Sequence, residues 1–142
     1  MPISFLALLL TIGLVGIAVV IHYEALILLN KRFNSYSSHR LALLATMVGL
    51  LFTHTLQIWI FAAGYWACVH WLHLGTITPP LDALRDAIYF SAMVYTTVGF
   101  GDLIPTGPLR TLVSGEALLG FALLTWSASF TFLQMQKLWG ED

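Results

Sequence analysis

Apolar residues fill this chain in long blocks, not at the spacing of a helix that is half wet. Ile3 to Leu29 is one block, Leu41 to about Leu72 a second, and Leu109 to about Met135 a third. Each is long enough for a helix that crosses a bilayer, which takes about 20 residues. A fourth apolar stretch, residues 82–96, is too short to cross. Thr78-Pro79-Pro80 blocks helix ahead of it, and Asp82 is expected to cap its start. It runs straight into "TTVGFGD", residues 96–102, where a membrane helix would want leucines. The pattern predicts an all-α membrane protein with three transmembrane helices and one re-entrant half-helix. Irregular backbone at membrane depth is tolerated only where protein buries it or water reaches it. The polar stretch is therefore expected to line a watery path.

Composition agrees with lipid as the main solvent. Of 142 residues, 58% are hydrophobic and 9% charged, against about 25% charged in a soluble domain. Membrane lipid is the expected surrounding partner. The net charge is −1 and no basic run appears, which excludes a nucleic-acid partner. The single cysteine, Cys68, excludes an internal disulfide framework and reads as a small buried side chain. Met1 to Ser4 carry no Lys or Arg, and the apolar run behind them is too long for a cleaved signal peptide. The first helix is read as retained.

Lys and Arg in short loops set orientation. Residues 30–40, "NKRFNSYSSHR", hold Lys31, Arg32 and Arg40 without an acid, and Lys137 follows the third block. These ends are expected in the cytoplasm, with the N-terminus and residues 73–108 outside. Trp66, Trp71 and Trp139 are placed near the two interfaces.

The stretch itself suggests a chemistry. Glycine reaches left-handed backbone at little cost. With Gly99 and Gly101 alternating with Val98 and Phe100, an extended segment can turn its carbonyls to one side. The Thr97 hydroxyl adds an oxygen at the inner end. Four such segments around an axis would replace the hydration shell of a monovalent cation. The half-helix in front directs the negative end of its dipole at the same place.

Thr97-Val98-Gly99-Phe100-Gly101 resembles the selectivity filter of potassium channels. "DAIYFSAMVYTTVGFGDLIP" is similar to the pore helix, filter and outer mouth of the bacterial potassium-channel family, and "EALLG" to the start of its inner helix. The resemblance implies a tetrameric potassium-channel pore fold. It divides the chain into an N-terminal helix and cytoplasmic loop (1–40) and a pore domain (41–142). Within the latter it implies an outer helix at 41–72, a pore helix at 82–96, the filter at 97–101 and an inner helix at 109–135. It implies that the carbonyls of Thr97, Val98, Gly99 and Phe100, with the Thr97 hydroxyl, coordinate K⁺, the transported ion. Gly101 closes the filter, Tyr89 and Asp102 support it, and Gly120 stands near the gating-hinge position. One pore loop per chain implies a homotetramer. The sequence departs from the simplest two-helix members in its extra N-terminal helix, in Phe100 where Tyr is commoner, and in Met93 where some members carry a buried glutamate.

Polar residues inside the helices are functional candidates. Glu116 reads as a hydrogen-bonding group against the pore helix or a neighbouring helix, or as a titrating group behind the filter or a local cation attractor. His54 with Thr53, Thr55 and Gln57, and His22 with Glu24, are expected to face protein and bond helix to helix. Proton sensing by the histidines is the alternative. His70 and His73, three apart, are a poor metal pair without a third ligand. Leu124 and Ala128 share a face with Gly120 and are expected to line a cavity. No helix carries regularly spaced arginines, which argues against classical voltage gating. No nucleophile, base and orienting group stand together, so no enzyme and no organic cofactor are expected. The reading is a potassium-selective passive pore. A poorly selective cation pore and a non-conducting auxiliary membrane subunit are the alternatives.

Overall fold

The computed structural model describes residues 3–33 and 38–139. Helix α1 spans Ile3–Phe33, α2 His39–His70, α3 Leu84–Tyr95 and α4 Leu109–Trp139. A two-residue antiparallel pair, β1 (Ile77–Thr78) with β2 (Ile104–Pro105), joins the loops on either side of α3. Among the described residues, three helices are long and apolar enough to cross a membrane: α1, α2 and α4. α3 has 12 residues and cannot.

Several boundaries differ from the expected ones. α1 continues through Lys31 and Arg32 to Phe33, so the basic pair lies in its last turn, where cations suit the helix dipole. Of the expected cytoplasmic loop, residues 34–37 lie outside the described residues. α2 stops at His70, two residues early, and α4 runs four residues past Met135. Asp82 does not cap α3. The helix starts at Leu84 after Ala83, and Asp86 supplies the missing acceptor. Its Oδ2 takes the backbone N–H groups of Ala83 at 2.9 Å and Asp82 at 3.2 Å. An acid one turn in satisfies donors that would otherwise stay orphaned at a helix start.

α1 docks because glycines on α2 and α4 leave room for its side chains. A Cβ on Gly49 would meet Leu29, one on Gly64 would meet Leu14, and one on Gly115 would meet Thr11 Cγ2 at 2.4 Å. In lipid, where apolar contact alone gives no preference for protein over solvent, such close backbone approach drives helix packing. The core joins Phe61, Tyr65 and Cys68 of α2, Ala87 and Phe90 of α3, and Leu112, Leu119 and Leu123 of α4. At its edge, Thr106 N–H donates to Thr76 O at 2.8 Å, and Leu109 N–H to Leu74 O at 3.1 Å. These bonds fix the segments that bracket α3.

Candidate functional site

α3 ends at Tyr95, and the next residues stay attached to its last turn. Thr96 N–H donates to Ala92 O at 3.1 Å, Thr97 N–H to Val94 O at 3.0 Å and Gly99 N–H to Met93 O at 3.2 Å. From there φ is positive at Thr97 (59°), Gly99 (49°) and Gly101 (79°), and not at Val98 or Phe100. A strand flips successive peptide groups by half a turn. Alternation of left- and right-handed residues instead curls successive groups the same way. A Cβ on Gly99 or Gly101 would meet nothing within 4 Å. Conformation, not space, therefore demands glycine there. Thr97 carries the same sign of φ with a β-branched side chain, which costs about 1–3 kcal/mol and clusters at functional sites. That third member of the alternation was not visible as a glycine in the sequence.

Behind the segment, Tyr89 Oη donates to Asp102 Oδ2 at 2.9 Å. The bond to Asp102 holds the Tyr89 phenol above its ordinary pKa. Met93, Val94, Leu103 and Val113 line a cavity of about 180 Å³ between this backbone and α4. Val98 (54%) and Phe100 (71%) are open on the single chain. That is a large apolar surface to leave uncovered at such a backbone.

Gly120 lies against the end of α3. A Cβ there would sit 2.0 Å from the Tyr95 carbonyl oxygen, so only glycine lets α4 pass this close. Leu124 and Ala128 lie with His54 and Ser127 along a cavity of about 310 Å³ between α2 and α4 of the single chain.

Glu116 is wholly buried on α4. Tyr65 donates to its Oε2. Ser91 Oγ stands 2.5 Å from its Oε1 and 2.8 Å from the Ile58 carbonyl oxygen. A serine hydroxyl has one proton. That proton goes to the Glu116 carboxyl or to the Ile58 carbonyl, and Ser91 stands between the two. The group thus ties α2, α3 and α4 together. This matches the hydrogen-bonding expectation.

His22 (α1), Gln57 and His54 (α2), Tyr95 (α3) and Ser127 (α4) are all buried and mutually bonded. His22 and Gln57 fasten α1 to α2 as expected. Three companions do not: Thr53 is buried, but its Oγ1 donates within its own helix to Gly49 O, 2.9 Å away. Glu24 and Thr55 point away from the chain's interior, and Thr55 Oγ1 is satisfied by its own helix at Leu51 O, 2.8 Å away. Each falls on a different side of its helix from its buried neighbour, 200° from His22 for Glu24 at 100° per residue. His70 and His73 form no helical pair, because α2 has already ended. His70 stacks on Trp66 at a ring separation of 3.9 Å, and the described residues hold no metal-binding cluster. Tyr65, Ser91, Tyr95 and Ser127 were missed in the sequence. Their signal is a polar group on an otherwise apolar helix face, with Ser127 seven residues, two turns, after Gly120.

The ion-channel family profile matches residues 41–137, from α2 through α4. The inward rectifier potassium channel Kirbac3.1 of Paramagnetospirillum magnetotacticum is 37% identical over 82 residues, 55% of this chain and 25% of the relative. Protein LctB of Geobacillus stearothermophilus is 42% identical over 43 residues, 30% of this chain and 32% of its own length. LctB of Bacillus caldotenax is 40% identical over the same length. The matches thus span a quarter to a third of these curated relatives. No solved structure matches. With the profile covering most of the chain, this membrane protein belongs to the ion-channel family, and a bacterial potassium channel is among the proteins it resembles.

Proposed function

We propose that four copies of this chain form a passive, K⁺-selective pore around residues 97–101. The observation that carries the reading is the alternation of positive φ at Thr97, Gly99 and Gly101 inside the TTVGFGD heptad. Turned to one side, the carbonyls of Thr97, Val98, Gly99 and Phe100 and the Thr97 hydroxyl replace the water around K⁺, and four chains complete each ring of oxygens. α3 is the re-entrant pore helix, its C-terminal dipole favouring the cation. α2 and α4 are the outer and inner helices, and α1 braces them from the side. Copies of the chain cover Val98 and Phe100, which a single chain leaves open. The end bearing Lys31, Arg32, Arg40 and Lys137 faces the cytoplasm, and the N-terminus lies outside. A relative that is a potassium channel supports the choice of ion.

Purified protein in liposomes tests the reading. It predicts a tetramer that passes K⁺ and excludes Na⁺. Equal flux of both ions would favour a poorly selective cation pore. No flux from a well-folded tetramer would favour an auxiliary subunit.

A further inference from the structure

Helices α1 and α4 run side by side in one direction. Thr11 meets Gly115, His22 meets Trp126 and Asn30 meets Gln134. Near their starts they pack closely, since Gly115 leaves just enough room for Thr11. Toward their ends they part. There α1 carries Lys31 and Arg32, and α4 carries Lys137. The two helices border an open-sided cavity of about 750 Å³ at this end, the size of a site for a drug-sized organic molecule.

Helical spacing builds its wall. Leu26, Ile27 and Asn30 share a face of α1, and Phe130, Leu133, Gln134 and Lys137 share a face of α4. The wall is apolar first and turns polar at the end that bears Lys137. Among the described residues no acid lines it.

The polar end has an unmet need. Gln134 is 2% exposed. Its Nε2 donates to Asn30 Oδ1 at 2.8 Å. Its Oε1 is buried and finds no partner among the described residues. A buried carbonyl left unmet is costly, so the site calls for a donor that the chain does not supply. Beside it Lys137, exposed at the mouth of the cavity, calls for an anion.

We propose that this cavity binds one phospholipid with an ethanolamine head. An acyl chain lies on the apolar wall. The phosphate accepts from Lys137, and the ammonium donates to Gln134 Oε1 after a small turn of the amide, a charge-assisted bond of the stronger class. The spacing suits this head. Three residues of helix rise about 4.5 Å, and ethanolamine sets its ammonium two carbons from the phosphate, a comparable reach. A choline head carries the same net charge but no N–H, so it leaves Gln134 unmet. Lipid is the occupant because both helices are long and apolar enough to cross a membrane, and the cavity opens sideways from them. Its polar end stands where basic residues mark the interface. The family profile begins at residue 41, so α1 brings half of this site from outside the matched core. The site does not rest on the pore reading.

Native mass spectrometry of the full chain tests the proposal, after competition between dioleoyl lipids with ethanolamine, choline and glycerol heads. One phospholipid per chain should stay bound. The ethanolamine head should be retained about fivefold over choline, the order of one hydrogen bond. Gln134→Leu keeps the volume and removes the acceptor, so it should hold lipid but treat these two heads alike. Lys137→Gln should weaken both heads together and leave their ratio unchanged. Ile27→Trp fills the apolar wall and should expel the lipid. Equal retention of ethanolamine and choline heads by the wild type would overturn the proposal, because no donor would then be read. So would a preference that survives in Gln134→Leu. A glycerol head that outcompetes ethanolamine in both proteins would show selection by charge alone and would also overturn it. A wild type that holds no lipid, and whose oligomer breaks up in Ile27→Trp, would mean that a second copy covers the groove instead.

Discussion

The Tyr89 hydroxyl donates to the Asp102 carboxylate across 2.9 Å, joining α3 to the backbone just past Gly101. A phenol giving to an ionised carboxylate makes a bond of the stronger, charge-assisted class. Phe100 has no hydroxyl to add a second tie. Tyr89→Phe keeps the ring and removes the donor, so selectivity should survive while current decays faster during sustained opening. Asp102→Asn should act in the same direction and add little in the double variant, since both remove one bond. Additive effects, or an unchanged decay, would show that the bond does not hold this backbone.

The same bond carries a pH dependence of known sign. Its donor is the neutral phenol, whose pKa Asp102 raises. The contribution is thus fully present below the ordinary tyrosine pKa and is lost as pH rises through the raised one. Current decay in the wild type should quicken only in strong alkali, and Tyr89→Phe should not respond there. An equal alkaline response in both proteins would assign it to another group.

Gly120→Ala tests a contact as much as a hinge. The added Cβ would meet the Tyr95 carbonyl oxygen at 2.0 Å, which neither helix can absorb in place. Overpacking of this kind costs about 1–3 kcal/mol. The variant should melt earlier as well as change open probability. A variant with wild-type melting and an altered open probability would leave the hinge alone as the role of Gly120.

Glu116→Gln should be nearly silent. Tyr65 and Ser91 both donate to the carboxyl; an amide oxygen keeps Tyr65, and its NH₂ can give to Ser91 while that hydroxyl turns to the Ile58 carbonyl. Glu116→Ala leaves Tyr65 and Ser91 without that partner and should cost about 1–3 kcal/mol. Thermal melting of both variants decides the matter. Strong destabilisation by Gln would mean that the buried group is charged.

Local patterns made much of this molecule legible from the residues alone. Three apolar blocks gave three helices, because membrane length is a local requirement, and Gly99 and Gly101 marked two left-handed positions. Helix ends were less visible. Asp86, not Asp82, satisfies the start of α3, because the cap acts from one turn inside. The polar cluster was least legible. Gln57 and both histidines stood out, but Tyr95 and Ser127 join them only through the rotation of α3 and α4. Glu24 and Thr55 were grouped with them by proximity along the chain, and helix rotation carries both outward. Gly120 was read as a point of bending. Its tight packing on Tyr95 needed the tertiary contact to be seen.

Gly99→Ala separates conformation from space at the candidate filter. Gly99 has φ of 49° and open space where a Cβ would stand. Alanine there pays about 1–2 kcal/mol for left-handed backbone, and relaxing it turns a carbonyl away. K⁺ flux in liposomes should be abolished while the fold survives. Thr97→Ala should keep the fold and weaken K⁺ block by competing cations from the inner side. Wild-type flux in Gly99→Ala would remove the filter assignment.

The reversal potential of the reconstituted wild-type protein, with K⁺ unequal on the two sides of a planar bilayer and Na⁺ making up the difference on the dilute side, tests the central claim most directly. Carbonyl coordination at residues 97–101 predicts a strong shift toward the K⁺ equilibrium potential, unaltered when the Na⁺ concentration is changed. A reversal near zero, following both ions alike, would contradict it.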